Sequence, residues 1–120
     1  MGGEHDYIIE EVSTKDDTYI KFNSGKLIMY GNRDFANIAI NNRPNTSTYV
    51  YNSTQCKITF PVESITNCIV MLHNYSNSGA YVSGSTGSNK LKDVKFWFYL
   101  PMSAASTSQY VDYLAIGRWK

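Results

Sequence analysis

Residues 113–120 read Tyr-Leu-Ala-Ile-Gly-Arg-Trp-Lys, and this stretch decides how the rest of the chain is read. It is aromatic, aliphatic and β-branched, so it reads as a strand. Chain ends ordinarily fray, so a terminal segment of this composition is expected to be packed in place. A second strand-rich stretch lies near the beginning: residues 18–22 and 26–31 are joined by Asn23-Ser24-Gly25, where the glycine can take the positive φ of a three-residue hairpin loop.

Strand signals continue along the chain. Phe35 to Ile40 alternates weakly, and Asn41-Asn42-Arg43-Pro44-Asn45-Thr46 reads as a turn cluster. Strands are expected at about 47–51 and 55–60. In the second of these, Cys56, Ile58 and Phe60 share one buried face while Lys57 and Thr59 point outward, and Pro61 ends the strand. Cys68 to Leu72, Val94 to Leu100 and the final strand are apolar on both faces, which one half-solvated sheet does not require. The periodicity therefore asks for a second buried face, and self-association is the simplest way to provide it. Two polar segments, Asn74 to Asn89 and Met102 to Ser108, read as long loops, the first with Ala80 to Ser83 as an edge strand. No helix is predicted.

Composition agrees with an all-β chain. At 120 residues there is room for one domain, with 42% hydrophobic and 14% aromatic residues to build a core. Charged residues make up only 18%, which leaves a surface of Ser, Thr, Asn, Gly and Tyr. No stretch approaches the roughly 20 apolar residues that span a bilayer, and the beginning lacks the basic-then-apolar layout of a signal peptide. That favours synthesis in a reducing compartment, with Cys56 and Cys68 expected as free thiols. The net charge of +1 conceals an acidic lead-in, residues 1–17, with six acids against Lys15 alone. The remainder, residues 18–120, is mildly basic and is expected to form the folded domain.

Motifs for chemistry are absent. A glycosidase needs two carboxylates roughly 5 to 10 Å apart in a cleft, and nothing singles out a pair among Asp34, Glu63, Asp93 and Asp112. Cys56 on an apolar face reads as a small core residue. His5, His73 and the two cysteines lack zinc spacing, and no calcium loop, phosphate loop or basic aromatic platform for nucleic acid is present. The expectation is a non-enzymatic protein without metal or cofactor. The 74–89 segment instead has the composition of a recognition loop, with rigid tyrosines among adaptable Ser, Asn and Gly. Aromatic faces and amide or hydroxyl groups suit sugars. The candidate binding residues are Tyr75, Tyr81, His73 and Asn77, with Lys90 and Lys92 for a ligand carrying phosphate, and Tyr49 and Tyr51 behind them.

Four pieces in this order, the lead-in Asp6-Tyr7-Ile8-Ile9-Glu10, the hairpin of residues 19–31, Thr59-Phe60-Pro61-Val62 and the final YLAIGRWK, make the chain resemble the carboxy-terminal receptor-binding heads of phage and prophage tail fibres. The relatives' polar residue before an aromatic-Gly pair is replaced here by Met29. The resemblance implies an H-type-lectin-like antiparallel β-sandwich, a homotrimer on a fibre shaft joined through the lead-in, and a place on the virion tail. It implies binding of a bacterial surface polysaccharide or teichoic acid. A structural cap that closes the trimeric shaft is the alternative role, and an H-type lectin unrelated to phage is a third.

Overall fold

The computed structural model describes residues 5–43, 50–76, 79–82 and 90–120. The fold is all-β and antiparallel. Among the described residues ten strands follow one another: β1 Ile8–Ser13, β2 Asp17–Phe22, β3 Lys26–Ile40, β4 Tyr51–Asn52, β5 Cys56–Thr59, β6 Ile69–Ser76, β7 Tyr81–Val82, β8 Asp93–Phe96, β9 Phe98–Leu100 and β10 Ala104–Arg118. They form a five-stranded sheet in the order β1-β2-β3-β10-β6, a three-stranded sheet β4-β9-β7 and a two-stranded sheet β5-β8. The small sheets cover one face of the large one, which makes a sandwich.

The hairpin of β2 and β3 forms as its sequence demands. Gly25 takes φ 104°, and its N–H donates to Phe22 O at 3.0 Å. What the sequence does not announce is the length of β3, which runs through the weakly alternating 35–40 stretch to pair along all of β10. Each of these strands has 15 residues, about 50 Å of extended chain. The molecule is drawn out accordingly, 61 × 28 × 21 Å, with a radius of gyration of 17.1 Å, where a compact chain of this length would have about 13.6 Å.

The core lies between the layers. Leu27, Met29, Val111 and Ala115 project from the large sheet toward Ile58, Val94, Phe96, Phe98 and Leu100. Phe35 meets Phe96 and Phe98 edge-on at 5.7 and 5.6 Å between ring centres, the geometry that aromatic quadrupoles favour. The Val94–Leu100 run departs from the expectation of two buried faces. It breaks at Trp97 into β8 and β9, which belong to different sheets. Val94, Phe96, Phe98 and Leu100 stay buried with period two, while Lys95 is exposed and Trp97 and Tyr99 are half-buried.

Parts of the two expected loops prove to be strand, while 77–78 and 83–89 of the first lie outside the described residues. β6 extends to Ser76, so Asn74 and Tyr75 pair with Val111 and Tyr110. Ala104 to Ser108 belongs to β10, although its small polar residues read as a loop. Thr107 and Gln109 are buried there because each is hydrogen-bonded: Gln109 Nε2 donates to Thr107 Oγ1, and Thr107 Oγ1 to Ile38 O, both at 2.8 Å. The Cys56 and Cys68 thiols are unbridged, and burial pushes both thiols up.

The YLAIGRWK end is tied down by the hairpin tip. Trp119 Nε1 donates to Phe22 O at 2.7 Å, Trp119 N to Gly25 O at 2.9 Å, and the Arg118 guanidinium to Ser24 O at 2.9 Å. On the other side of the tip, Asn23 exchanges hydrogen bonds with the Tyr7 backbone and Ser24 donates to the Asp6 carboxylate. Three segments distant in sequence are thereby locked at one end of the sandwich.

A half-buried polar cluster fixes β2, β3 and β10 to β5. Arg33 grips Asp17 with two parallel bonds, Nη1 to Oδ1 and Nη2 to Oδ2, each 2.9 Å, the bidentate form that suits a carboxylate. Tyr113 Oη donates to Asp17 Oδ1 at 2.5 Å, and Arg33 Nη2 reaches Thr59 O at 3.3 Å. Burial, reinforced by the bond to Asp17 and its charge, holds the Tyr113 phenol well above its ordinary 10.0. The phenol ionises near 10 once unfolded but keeps its proton in the fold. Its contribution to stability is therefore complete below about pH 10 and declines as pH rises above that point. In an alkaline titration followed by phenolate absorbance, one tyrosine is expected to ionise only with unfolding, and Tyr113→Phe to remove that late step. A late step that survives in Tyr113→Phe would assign it to another residue.

Candidate functional site

Two of the candidate residues, His73 and Tyr75, lie on the outer face of the five-stranded sheet. Alternation sends Leu27, Met29, Val111, Tyr113 and Ala115 inward, so their neighbours in sequence point out. Register then builds rows across the sheet. One row is Ile20, Ile28, Ile116 and Ile69, and the next is Thr18, Tyr30, Leu114 and Met71. Further along come Asn32, Asp112 and His73, then Asp34, Tyr110 and Tyr75.

This face is thus divided. Its half nearer the hairpin tip is apolar, and Ile69, Met71 and Tyr30 are 69%, 55% and 45% exposed there. These are large side chains left in water together, contiguous with half-buried Ile20, Ile28, Leu114 and Ile116. Scattered apolar residues need no explanation, but a continuous block of this kind marks an interaction surface.

The other half is polar and aromatic. Tyr75 lies nearly parallel to Tyr110, with centres 5.3 Å apart and planes at 14°. His73 flanks Tyr75 at 5.8 Å, and its Nδ1 lies 3.4 Å from Asp112 Oδ2. Both members of that pair are exposed, so it orients the imidazole more than it stabilises the fold. His73, Tyr75, Tyr110 and Asp112 form a ladder across β6 and β10.

The structure does not bring all the sequence candidates together. His73 and Tyr75 share this ladder. Tyr81 stacks on Tyr99 at 5.8 Å in the three-stranded sheet, where Phe98 and Leu100 turn inward and Tyr99 outward, so it faces away from Tyr75. Lys90 and Lys92 lie at the opposite end of β6, where Cys68 N donates to Lys90 O and Phe60 N to Lys92 O. From Ile69 to Tyr75 is about 20 Å of strand. Tyr51 packs under the Arg43 guanidinium at 5.5 Å. Asn77 and Tyr49 lie outside the described residues. Tyr110 was not legible as a candidate, because only its pairing with Tyr75 makes it one.

Fold and surface together define an elongated antiparallel β-sandwich with an apolar block and an aromatic ladder on one outer face. No family model matches the chain, and no curated protein does. Among solved structures it is similar to the P. aeruginosa R1 pyocin fibre fragment comprising C-terminal residues 323–701, with TM-score 0.55 and 15% identity. The match covers 91% of this chain and 28% of that one, so the chain spans less than a third of the fragment. At that identity the likeness is one of fold.

Proposed function

We propose that this chain is the receptor-binding head of a phage or phage-tail-like fibre, acting by non-enzymatic attachment to a bacterial surface polysaccharide or teichoic acid. The observation that carries this reading is the shared fold with part of the R1 pyocin fibre over 91% of the chain, which agrees with the tail-fibre resemblance of the four sequence pieces. The elongated shape and the aromatic ladder support it.

Assembly is part of the proposal. Three copies of the chain pack through the apolar half of the five-stranded sheet, burying Ile20, Ile28, Tyr30, Ile69, Met71, Leu114 and Ile116 against one another. Threefold order comes from the resemblance to tail-fibre heads, while the need for a partner surface comes from the exposed block itself. Trimerisation makes weak sites useful, since linked sites raise avidity by about 10² to 10⁴. Attachment to a fibre shaft and location on a virion or tail-like particle follow from the same reading.

A purely structural cap is the second reading, favoured by how much more extensive the apolar block is than the ladder. Labelled protein incubated with a panel of bacterial strains separates the two. Binding to some strains, competed by their purified surface polysaccharide or teichoic acid, is expected. Assembled protein that binds no strain would leave the cap.

A further inference from the structure

The central pair of strands is irregular at the end bearing the aromatic ladder. Between the pairs Ala104↔Ile40 and Thr107↔Ile38, three steps of β10 oppose two of β3. Between Thr107↔Ile38 and Gln109↔Phe35, two steps of β10 oppose three of β3. Two opposed bulges therefore follow one another and restore the register. The second contains Asn37 at φ 57°, a left-handed conformation that Asn tolerates better than most side chains but that still carries strain. Bulges re-aim side chains beside binding sites, and local strain held by surrounding structure accumulates at ligand clamps.

At that second bulge the two strands part around a half-open cleft of about 110 Å³, lined by Asp34, Phe35, Ala36, Ser108, Gln109 and Tyr110. Its floor is rigid. Phe35 packs on Phe96 and Phe98, and Gln109 is fully buried. Its rim is polar, with exposed Asp34 beside half-buried Ser108. The Asp34 carboxylate has no ion pair or hydrogen bond among the described residues. Tyr110 belongs to both features, since it lines the cleft and stacks on Tyr75.

We propose that this cleft and the Tyr110–Tyr75 pair form one saccharide subsite that takes a single pyranose, a proposal that rests on the receptor-binding reading. The cavity is well below the 300 Å³ or more that encloses a whole ligand, so it admits an edge of the sugar, a hydroxymethyl or ring hydroxyl group. Asp34 accepts hydrogen bonds from that edge and Ser108 can donate or accept. The C–H face of the ring lies against the tyrosine pair. The subsite lies within one protomer, two rows beyond the apolar block, so it remains open when that block is covered.

The test is saturation-transfer NMR of the intact protein with free glucose, galactose, mannose, rhamnose and N-acetylglucosamine as probes. At least one is expected to bind, with Tyr110→Ala and Asp34→Asn each weakening it by about tenfold or more and Tyr81→Ala leaving it unchanged. Asp34→Asn is isosteric and keeps the fold, so its effect stands even if Tyr110→Ala loosens β10. Loss with Tyr81→Ala and retention in the two cleft variants would overturn the subsite. Failure of the wild-type protein to bind any of the five would overturn it too, and the receptor-binding reading would still stand if labelled protein bound intact cells. Binding to no sugar and no cell would remove both.

Discussion

Gly31→Ala is expected to lower stability by about 2 to 3 kcal/mol, the cost of forcing atoms into a filled site, which is a fall in Tm of roughly 10 °C for a domain of this size. A Cβ at this position would fall well inside contact distance of Asp16 O and 2.7 Å from Asp17 Oδ1, with the Tyr113 ring at 3.0 Å. The first of these neighbours is backbone and cannot swing aside. Tyr113 is the cross-strand partner of Gly31, so its ring covers the gap that the glycine leaves and holds the phenol over Asp17. Gly79→Ala provides the comparison. Gly79 has φ 77° but, among the described residues, no atom within 4 Å of an added Cβ, so its expected cost is backbone strain, about 1 kcal/mol. Thermal unfolding at one fixed protein concentration separates the two, since Tm depends on concentration in an oligomer. Equal small losses in both variants would show that the backbone at Asp16 yields and that the cluster is looser than its distances imply.

Ile69→Lys combined with Met71→Lys is expected to abolish self-association while leaving the protomer folded. Both side chains are more than half exposed on the single chain, so charging them costs the isolated protomer little, within about 0.5 kcal/mol. In a trimer six lysines would be driven into apolar contact, and burial of unpaired charge is among the most costly changes an interface can suffer. Light scattering during size-exclusion chromatography should therefore fall from about three times 13.6 kDa to 13.6 kDa, with an unchanged far-ultraviolet circular dichroism spectrum. Tyr81→Lys, on the outer face of the three-stranded sheet, should leave the mass unaltered. A wild-type protein that is already monomeric would contradict the assembly proposed for the apolar block. A double variant that keeps the wild-type mass would move the contact to another surface.

The hairpin and the final strand were legible in the sequence because their signals are local. Asn23-Ser24-Gly25 specifies its own turn, and the final stretch carries the strong β formers Tyr113, Ile116 and Trp119. The period-two face of Cys56, Ile58 and Phe60 was legible for the same reason. The beginning of β10 was not, because Ala104 to Ser108 is small and polar, and its burial depends on hydrogen bonds from Thr107 and Gln109 that exist only once β3 lies alongside. Likewise Val94 to Leu100 looked like one strand buried on both faces, when a break at Trp97 hands the chain from one sheet to another. His73 and Tyr75 were found by residue type, but their ladder was not. It depends on the β6–β10 register, which sets Tyr110 opposite Tyr75 and Asp112 opposite His73, and register is a long-range property.

The pairing of β3 with β10 has a mechanical meaning. Ladder hydrogen bonds lie perpendicular to the strands, and these two strands run along the 61 Å axis of the molecule. Tension applied along that axis, between the Asp6–Trp119 end and the cleft end, loads the whole ladder in shear, so its bonds must give together. Tension applied across the axis would peel the strands apart one bond at a time. Under the receptor-binding role proposed above, a pull between the fibre and a cell along this axis would meet the load in the fold's most resistant direction.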